Sequence, residues 1–335
     1  MTKAKSEAAS IDVVGIGNAI VDVIAQADDA FLTANGLNKN LMTLIDAERA
    51  DVLYSRMGPG REISGGSCAN TMAGIAALGG RAAYIGKVND DQLGQVFRHD
   101  IRAAGVRFES APDKEGTPTA RCLILVTPDA HRTMNTYLGA CVNLGPDDVD
   151  EAMVAGATVT YLEGYLWDKP SAKEAFLRAA RIAHQARRRV SLTLSDPFCV
   201  DRHRDSFATL VREHVDILFA NEAEIESLYK APDFDAALQA VREHCEIAVL
   251  TRGVKGSVIV RGDELHVIDA APVAKVVDTT GAGDLYAAGF LHALTRGDDL
   301  RRCGKIASLA AAEAISHYGA RPEADLKALV REKLG

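Results

Sequence analysis

The 335-residue chain reads as an α/β protein in three layers, with a mostly parallel central sheet and a small second sheet standing off it. Three observations predict this. Strand-like and helix-like segments alternate nearly throughout. The strand runs are continuously apolar, as strands buried on both faces are. Two early stretches, about 21–64 and 117–138, break the rhythm with strands that no helix covers.

Each element has its own warrant. IDVVGIG (11–17) is a β-branched run ending in glycines, and VDVIAQA after it continues as strand. DDAFLTANGLNKN is helix-like and polar, with short strands near LMTLI and REIS. CANTMAGIAALGG (68–80) is a small-residue helix, and AAYIGKV a strand. Residues 117–138 hold two alternating strands around a turn at Pro128-Asp129, a hairpin. TVTYLEG (158–164) is a strand and 170–188 a helix. VSLTLSD (190–196) and DILFAN (216–221) are strands, each followed by a helix. EIAVLTRG (246–253) and GSVIVRG (256–262) are strands, and 284–296, 300–317 and 323–333 are helices. The uncovered strands would form a lid that excludes water from a reacting phosphate, or a dimer-forming sheet.

Composition narrows the function. Hydrophobic residues (47%) suffice for a large core, and the net charge of −8 leaves no fold-wide basic field, which argues against nucleic acid as partner. An anionic substrate would need local backbone amides, a few Arg or Lys, and Mg²⁺. Six scattered cysteines (Cys68, Cys122, Cys141, Cys199, Cys245, Cys303) form no C-x-x-C pair and suit a cytoplasmic protein. MTKAKSEAAS has no apolar core, so residues 1–10 are expected to be disordered, and no run approaches the ~20 apolar residues of a membrane span. Low aromatic content leaves monomer and homodimer both open.

The chemistry concentrates in DTTGAGD (278–284), which runs into the apolar segment LYAAGFLHAL. Gly281, Ala282 and Gly283 would let backbone N–H groups crowd an anion at a helix start, where the dipole adds positive charge. Asp284 makes sense there as the base for a group attacking phosphate. An acid in a first turn after a Gly-Ala-Gly turn is also ordinary helix chemistry. In GGSCAN, Gly65 and Gly66 would admit a polyol and Asn70 would bind its hydroxyls, or the segment is a turn with a cap. GIGNAIVD lacks the third glycine and the helix of a dinucleotide site, while Asn18 and Asp22 could face a diol. In NEAE, Asn221 and Glu224 have the spacing of a capping box, which also aims oxygens at a point where Mg²⁺ could sit through water. TRGVKG (251–256) is a turn whose glycines could admit a nucleotide phosphate. No P-loop motif occurs.

DTTGAGD, GGSCANTMAGIAALG, NEAE and TRGVKG, in this order, resemble the ribokinase family, also called the PfkB carbohydrate kinases. The resemblance spans about 11–330, and VVGIGNAIVDV and HRTMNTYLGA look closest to its adenosine-kinase-like nucleoside kinases. It implies a ribokinase-like three-layer domain over 11–335 with a β-lid, and ATP-dependent phosphorylation of a nucleoside 5′-hydroxymethyl. A sugar kinase is the alternative. It further implies Asp284 as base and Gly281, Ala282 and Gly283 as anion hole. Asn18, Asp22, Gly65, Gly66 and Asn70 would hold the ribose, with Arg132 on the transferring phosphate. Asn221, Thr251, Gly253, Gly256, Asp278 and Thr280 would line the ATP site, and Asn221 and Glu224 would organise Mg²⁺. A K⁺ site near Asp278 is a further expectation. Phe108, Leu138, Tyr161, Tyr165 and Trp167 are candidates for the base pocket.

Overall fold

The computed structural model describes residues 10–129 and 131–335; residues 1–9, nearly all of the segment expected to be loose, lie outside the described residues. The first part of the chain gives β1 (Ile11–Ile16), β2 (Ile20–Gln26), α1 (Asp29–Ala34), β3 (Met42–Leu44), α2 (Ala47–Arg56) and β4 (Gly60–Gly65). Next come α3 (Ser67–Ala77), β5 (Ala82–Ile85), α4 (Gln92–Ala103), β6 (Arg107–Phe108), β7 (Ala120–Val126) and β8 (Arg132–Tyr137). The middle comprises α5 (Glu151–Gly156), β9 (Ala157–Glu163), α6 (Pro170–Gln185), β10 (Arg189–Thr193), α7 (Pro197–His214) and β11 (Ile217–Asn221). The last part holds α8 (Glu222–Tyr229), α9 (Phe234–Val241), β12 (Ile247–Thr251), β13 (Ser257–Arg261), β14 (Glu264–Ile268), α10 (Ala282–Arg296), α11 (Leu300–Ala314) and α12 (Leu326–Leu334).

The large sheet has the order β14-β13-β12-β11-β10-β9-β1-β5-β6. It is parallel from β12 to β6, and β13 and β14 add an antiparallel edge. From β12 to β5 its strands are buried on both faces, successive side chains alternating between two cores. Val14, Ile16, Leu218, Ala220, Ala248 and Leu250 join the core under α6–α9. Their neighbours Val13, Ile217, Phe219, Ile247 and Val249 join the opposite core with α3, α10 and α11. In that second layer Gly74 lets α3 lie against α10, since a Cβ there would come 2.7 Å from Ala288 and Leu285. This close approach brings the start of α3 to the start of α10.

The small sheet has the order β3-β8-β7-β2-β4. β2 follows β1 after three residues, and β4 returns to α3 through Gly66, whose φ is +96°. The small sheet therefore hangs on the edge where the parallel strands end, the edge at which open α/β sheets place their ligands.

Several elements had no expectation from sequence: α2, α4, α5, β6 and β14. α2 buries only Ala50 and Leu53, and α4 only Gly94, Phe97 and Ile101, too thin a stripe to stand out among charged residues. β14 is mostly exposed and owes its form to pairing with β13. The helix expected over 170–188 stops at Gln185, as Arg187 takes a positive φ. The one expected over 300–317 stops at Ala314. All six cysteines are free thiols. Among the described residues, no helix is long and apolar enough to cross a membrane.

Candidate active site

Gly281 caps α10 with φ +78°, and a Cβ on it would lie 2.5 Å from that of Ala320. Only glycine suits this position. No side chain caps α10; Ala282 N donates to the Thr279 carbonyl at 3.3 Å, and the amides that follow lie at the positive end of the dipole. Around Gly283 the space is open.

Asp284, third residue of α10, turns away from its own helix toward α3. Its Oδ1 accepts from Ser67 Oγ at 2.6 Å and its Oδ2 from Asn70 Nδ2 at 3.0 Å. Burial raises its pKa above the usual aspartate value, against the lowering effect of Ser67, Asn70 and the charge of Arg321. The result is a more basic carboxylate, positioned at both oxygens and beside an uncapped helix start.

Asp22 on β2 faces the same space, and a Cβ on Gly65 would come 2.4 Å from its carboxylate. Burial pushes Asp22 up to about 6, with Arg321 and Arg132 opposing and Asp284 adding to the rise. Gly66 passes so close to the Asn18 carbonyl that a Cβ would meet it at 2.2 Å. Asn18 is buried, and its Nδ2 donates to Glu163 Oε1 at 2.9 Å while its Oδ1 has no partner. Glu163, at the end of β9, also accepts from Cys68 N at 2.8 Å and is pushed to about 7 by burial.

The other end of the glycine loop is tied differently. Asp278 Oδ1 accepts from Thr280 N at 3.0 Å and Thr280 Oγ1 at 2.7 Å. Its Oδ2 accepts from Gly319 N at 3.0 Å and pairs with Arg132 Nη1 at 2.6 Å. Burial works against the charge of Asp278, but these donors and Arg132 outweigh it and its pKa is lowered. Its four acceptor positions are filled, so a K⁺ ion on this side chain does not fit the arrangement. Arg132 thus joins the small sheet to the body.

Thr251 ends β12, and Gly253 (φ +56°) begins the turn to β13 with open space around it. Gly256 (φ +80°) has no room for a Cβ, which would sit 2.0 Å from the Ile268 carbonyl. Arg252 and Lys255 of the same turn both pair with Glu222. Asn221 and Glu224 form the reciprocal box at the start of α8: Glu224 N donates to Asn221 Oδ1 and Asn221 N to Glu224 Oε2, each at 2.9 Å. Asn221 Nδ2 donates to Glu224 Oε1 at 2.6 Å. Both oxygens of Glu224 are engaged and the residue is buried, with its pKa near 7. Direct metal ligation by Glu224 does not fit; a hydrated Mg²⁺ drawn by its charge does. Among the described residues no group of three or more His, Cys, Asp or Glu could hold a metal directly.

A family model described as pfkB family carbohydrate kinase matches residues 39–326. The chain belongs to this family. The crystal structure of adenosine kinase from Sinorhizobium meliloti is 55% identical with a TM-score of 0.89, over 97% of this chain and 99% of that one. A probable sugar kinase protein from Rhizobium etli CFN 42 is 54% identical with a TM-score of 0.89, over 96% and 98%. The adenosine kinase of Saccharomyces cerevisiae is 28% identical over 327 residues, 91% of this chain and 94% of that protein. The fold is ribokinase-like, and this PfkB kinase is a phosphotransferase with an alcohol group as acceptor, a nucleoside or sugar kinase with ATP as co-substrate.

Three residues that meet or face these side chains carry no expectation from sequence. Ser67 sits inside the GGSCAN motif but was not assigned a partner; Glu163 and Arg321 are single charged residues far from any motif. Of the base-pocket candidates, Phe108, Tyr161 and Trp167 are buried in the two main cores, so they line no open pocket. Tyr165 is 38% exposed, and nearby Phe198 at the start of α7 is 79% exposed.

Proposed function

We propose that this kinase phosphorylates the 5′-hydroxymethyl of a purine nucleoside, with adenosine as first candidate. The observation that carries the chemistry is Asp284, held by Ser67 and Asn70 at the uncapped start of α10. The acceptor is argued from the named adenosine kinase that is 55% identical over nearly the whole chain.

In this mechanism Asp284 takes the hydroxyl proton as the oxygen attacks the γ-phosphorus in line, the bond from that phosphorus to the bridging oxygen breaks and ADP leaves, and the N–H groups of Gly281, Ala282 and Gly283 receive the developing charge. Asp22 accepts from the ribose hydroxyls, and the bare backbone of Gly65 and Gly66 lets the sugar approach. Asn18 Oδ1, buried without a partner, is an acceptor suited to a hydroxyl. Asn70 donates to Asp284 and presents its amide oxygen to the sugar. Arg132, aligned by Asp278, neutralises the transferring phosphate from the small sheet, which acts as the lid. Thr251, Gly253, Gly256 and Thr280 line the nucleotide site. Asn221 and Glu224 would hold Mg²⁺ through water; when bound, it neutralises phosphate charge. Phe198 and Tyr165 offer aromatic faces to the base. Six free cysteines suit a reducing compartment, the cytoplasm.

A sugar acceptor is the second reading, favoured by the 54% identical probable sugar kinase. ADP release with Mg²⁺-ATP against adenosine, guanosine, inosine, cytidine, ribose and fructose separates the two. Turnover of nucleosides alone supports the proposal, and turnover of free sugars alone overturns it.

A further inference from the structure

Arg321 lies between α11 and α12, directly after Ala320, the residue against which Gly281 packs. Its guanidinium turns into the wedge where α3, β4 and α10 meet. Nη1 donates to the Ala69 carbonyl at 2.9 Å, and Nη2 to the Ser64 carbonyl at 2.6 Å and Ser64 Oγ at 2.9 Å. Ser64 N and Oγ donate onward to Asp100 Oδ2 at 2.8 and 2.5 Å. Arg321 Nε is buried and has no partner.

Both anchors stand one residue from a group that touches a site carboxylate. Ala69 precedes Asn70, which holds Asp284; Ser64 precedes Gly65, which faces Asp22. The ionisable groups facing Arg321 are Asp22 on β2, Tyr84 on β5, Asp100 on α4 and Asp284 on α10. Asp22 further faces Arg132. Asp284 also faces Glu163 and Cys68, with Tyr161 and Tyr165 beside it. Arg132 is already paired with Asp278. Among the described residues Arg321 is thus the guanidinium that faces both carboxylates of this desolvated pocket, whereas Arg132, paired with Asp278, faces Asp22.

We propose that Arg321 is a positioning residue for phosphoryl transfer: its planar fork on Ser64 and Ala69 locks β4 and the entry of α3 against the start of α10, and its buried charge balances the pocket that Asp22 and Asp284 share. The idea rests on Asp284 acting as the base, so its test needs one readout with turnover and one without.

The first readout is kcat from pH 5 to 9, by ADP release with adenosine or the best acceptor of the panel. In Arg321→Met the acid limb moves to higher pH, so kcat falls about tenfold on the acid side and much less at pH 9. Arg321→Lys keeps the charge, and its limb stays at the wild-type position. One ammonium does not reproduce the planar fork on Ser64 and Ala69, so KM for the acceptor rises. An equal loss at every pH in Arg321→Met, or a limb that moves as far in Arg321→Lys, overturns the proposal. Should Arg321→Met fail to fold, Arg321→Lys decides: an unmoved limb with raised KM upholds it, and a shifted limb or unchanged KM overturns it.

The second readout is thermal unfolding over the same range. Asp22 and Asp284 have folded pKa values above their unfolded ones, so the stability they contribute is present at low pH and is lost as pH rises through the folded values. Without Arg321 those values rise further. The Tm gap between wild type and Arg321→Met therefore widens from pH 5 to pH 8, and still does so in an Asp100→Asn background. A constant gap overturns the charge role. A widening gap in a protein that releases no ADP with any acceptor would leave that role standing while the kinase reading fails.

Discussion

The starts of α8 and α10 carry an acid at the same place, the third helical residue, and use it in opposite ways. At α8 the cap is Asn221, and Glu224 folds back to close a reciprocal box on its own helix. At α10 the cap is Gly281, which has no side chain to offer, and Asp284 reaches across to Ser67 and Asn70 on α3. Burial raises both acids. The difference teaches that the capping residue decides the acid's job. A helix start with a side-chain cap turns its acid back on its own amides, whereas one capped by glycine sends its acid across to another helix and leaves amides open to a ligand.

The strongest way to break this comparison is Asp284→Asn. It should fold, bind the acceptor, and lose roughly 10²–10⁴ in kcat, read by ADP release beside equilibrium binding of adenosine. Near-wild-type kcat would remove Asp284 as base. Next is Gly281→Val, which forces a β-branched residue to a positive φ and into Ala320. Strain of this kind costs roughly 1–3 kcal/mol, read by denaturant unfolding, and turnover falls with it because the amides shift.

A smaller loss is expected from Asn221→Ala. Removing the cap should cost about 1 kcal/mol, and the Mg²⁺ concentration for half-maximal rate should rise as Glu224 loses its orientation. An unchanged Mg²⁺ requirement would make the box purely structural. The smallest effect sharpens the contrast through pH. Glu224 has a folded value of about 7 against an ordinary 4.5, so its contribution to stability is present below about 4.5 and is lost as pH rises through about 7. Glu224→Gln should therefore gain on wild type in Tm between pH 5 and pH 8. A parallel pair of Tm curves would count against the raised value.

The sequence by itself determined the class of the sheet and the nature of the loop. Continuous apolar strands between helices admit few arrangements other than a covered parallel sheet. Glycines at 281 and 66 are demanded by local backbone geometry, which is written in the residue itself. The box at Asn221 and Glu224 was legible for the same reason, since its partners are three residues apart. Helices with thin apolar stripes, such as α2 and α4, were not.

Only the tertiary structure decided what the acids do. Asp284 meets Ser67 and Asn70 across separations of 217 and 214 residues, and no local spacing encodes such a pair. It forms because Gly74 lets α3 approach α10; likewise Glu163 meets Asn18 because β1 and β9 end side by side. The same holds for Arg132, which β8 delivers to Asp278, and for Arg321, whose anchors lie about 250 positions away. Burial and opposed charge set the proton affinity of a carboxylate, and both depend on which distant segments pack around it.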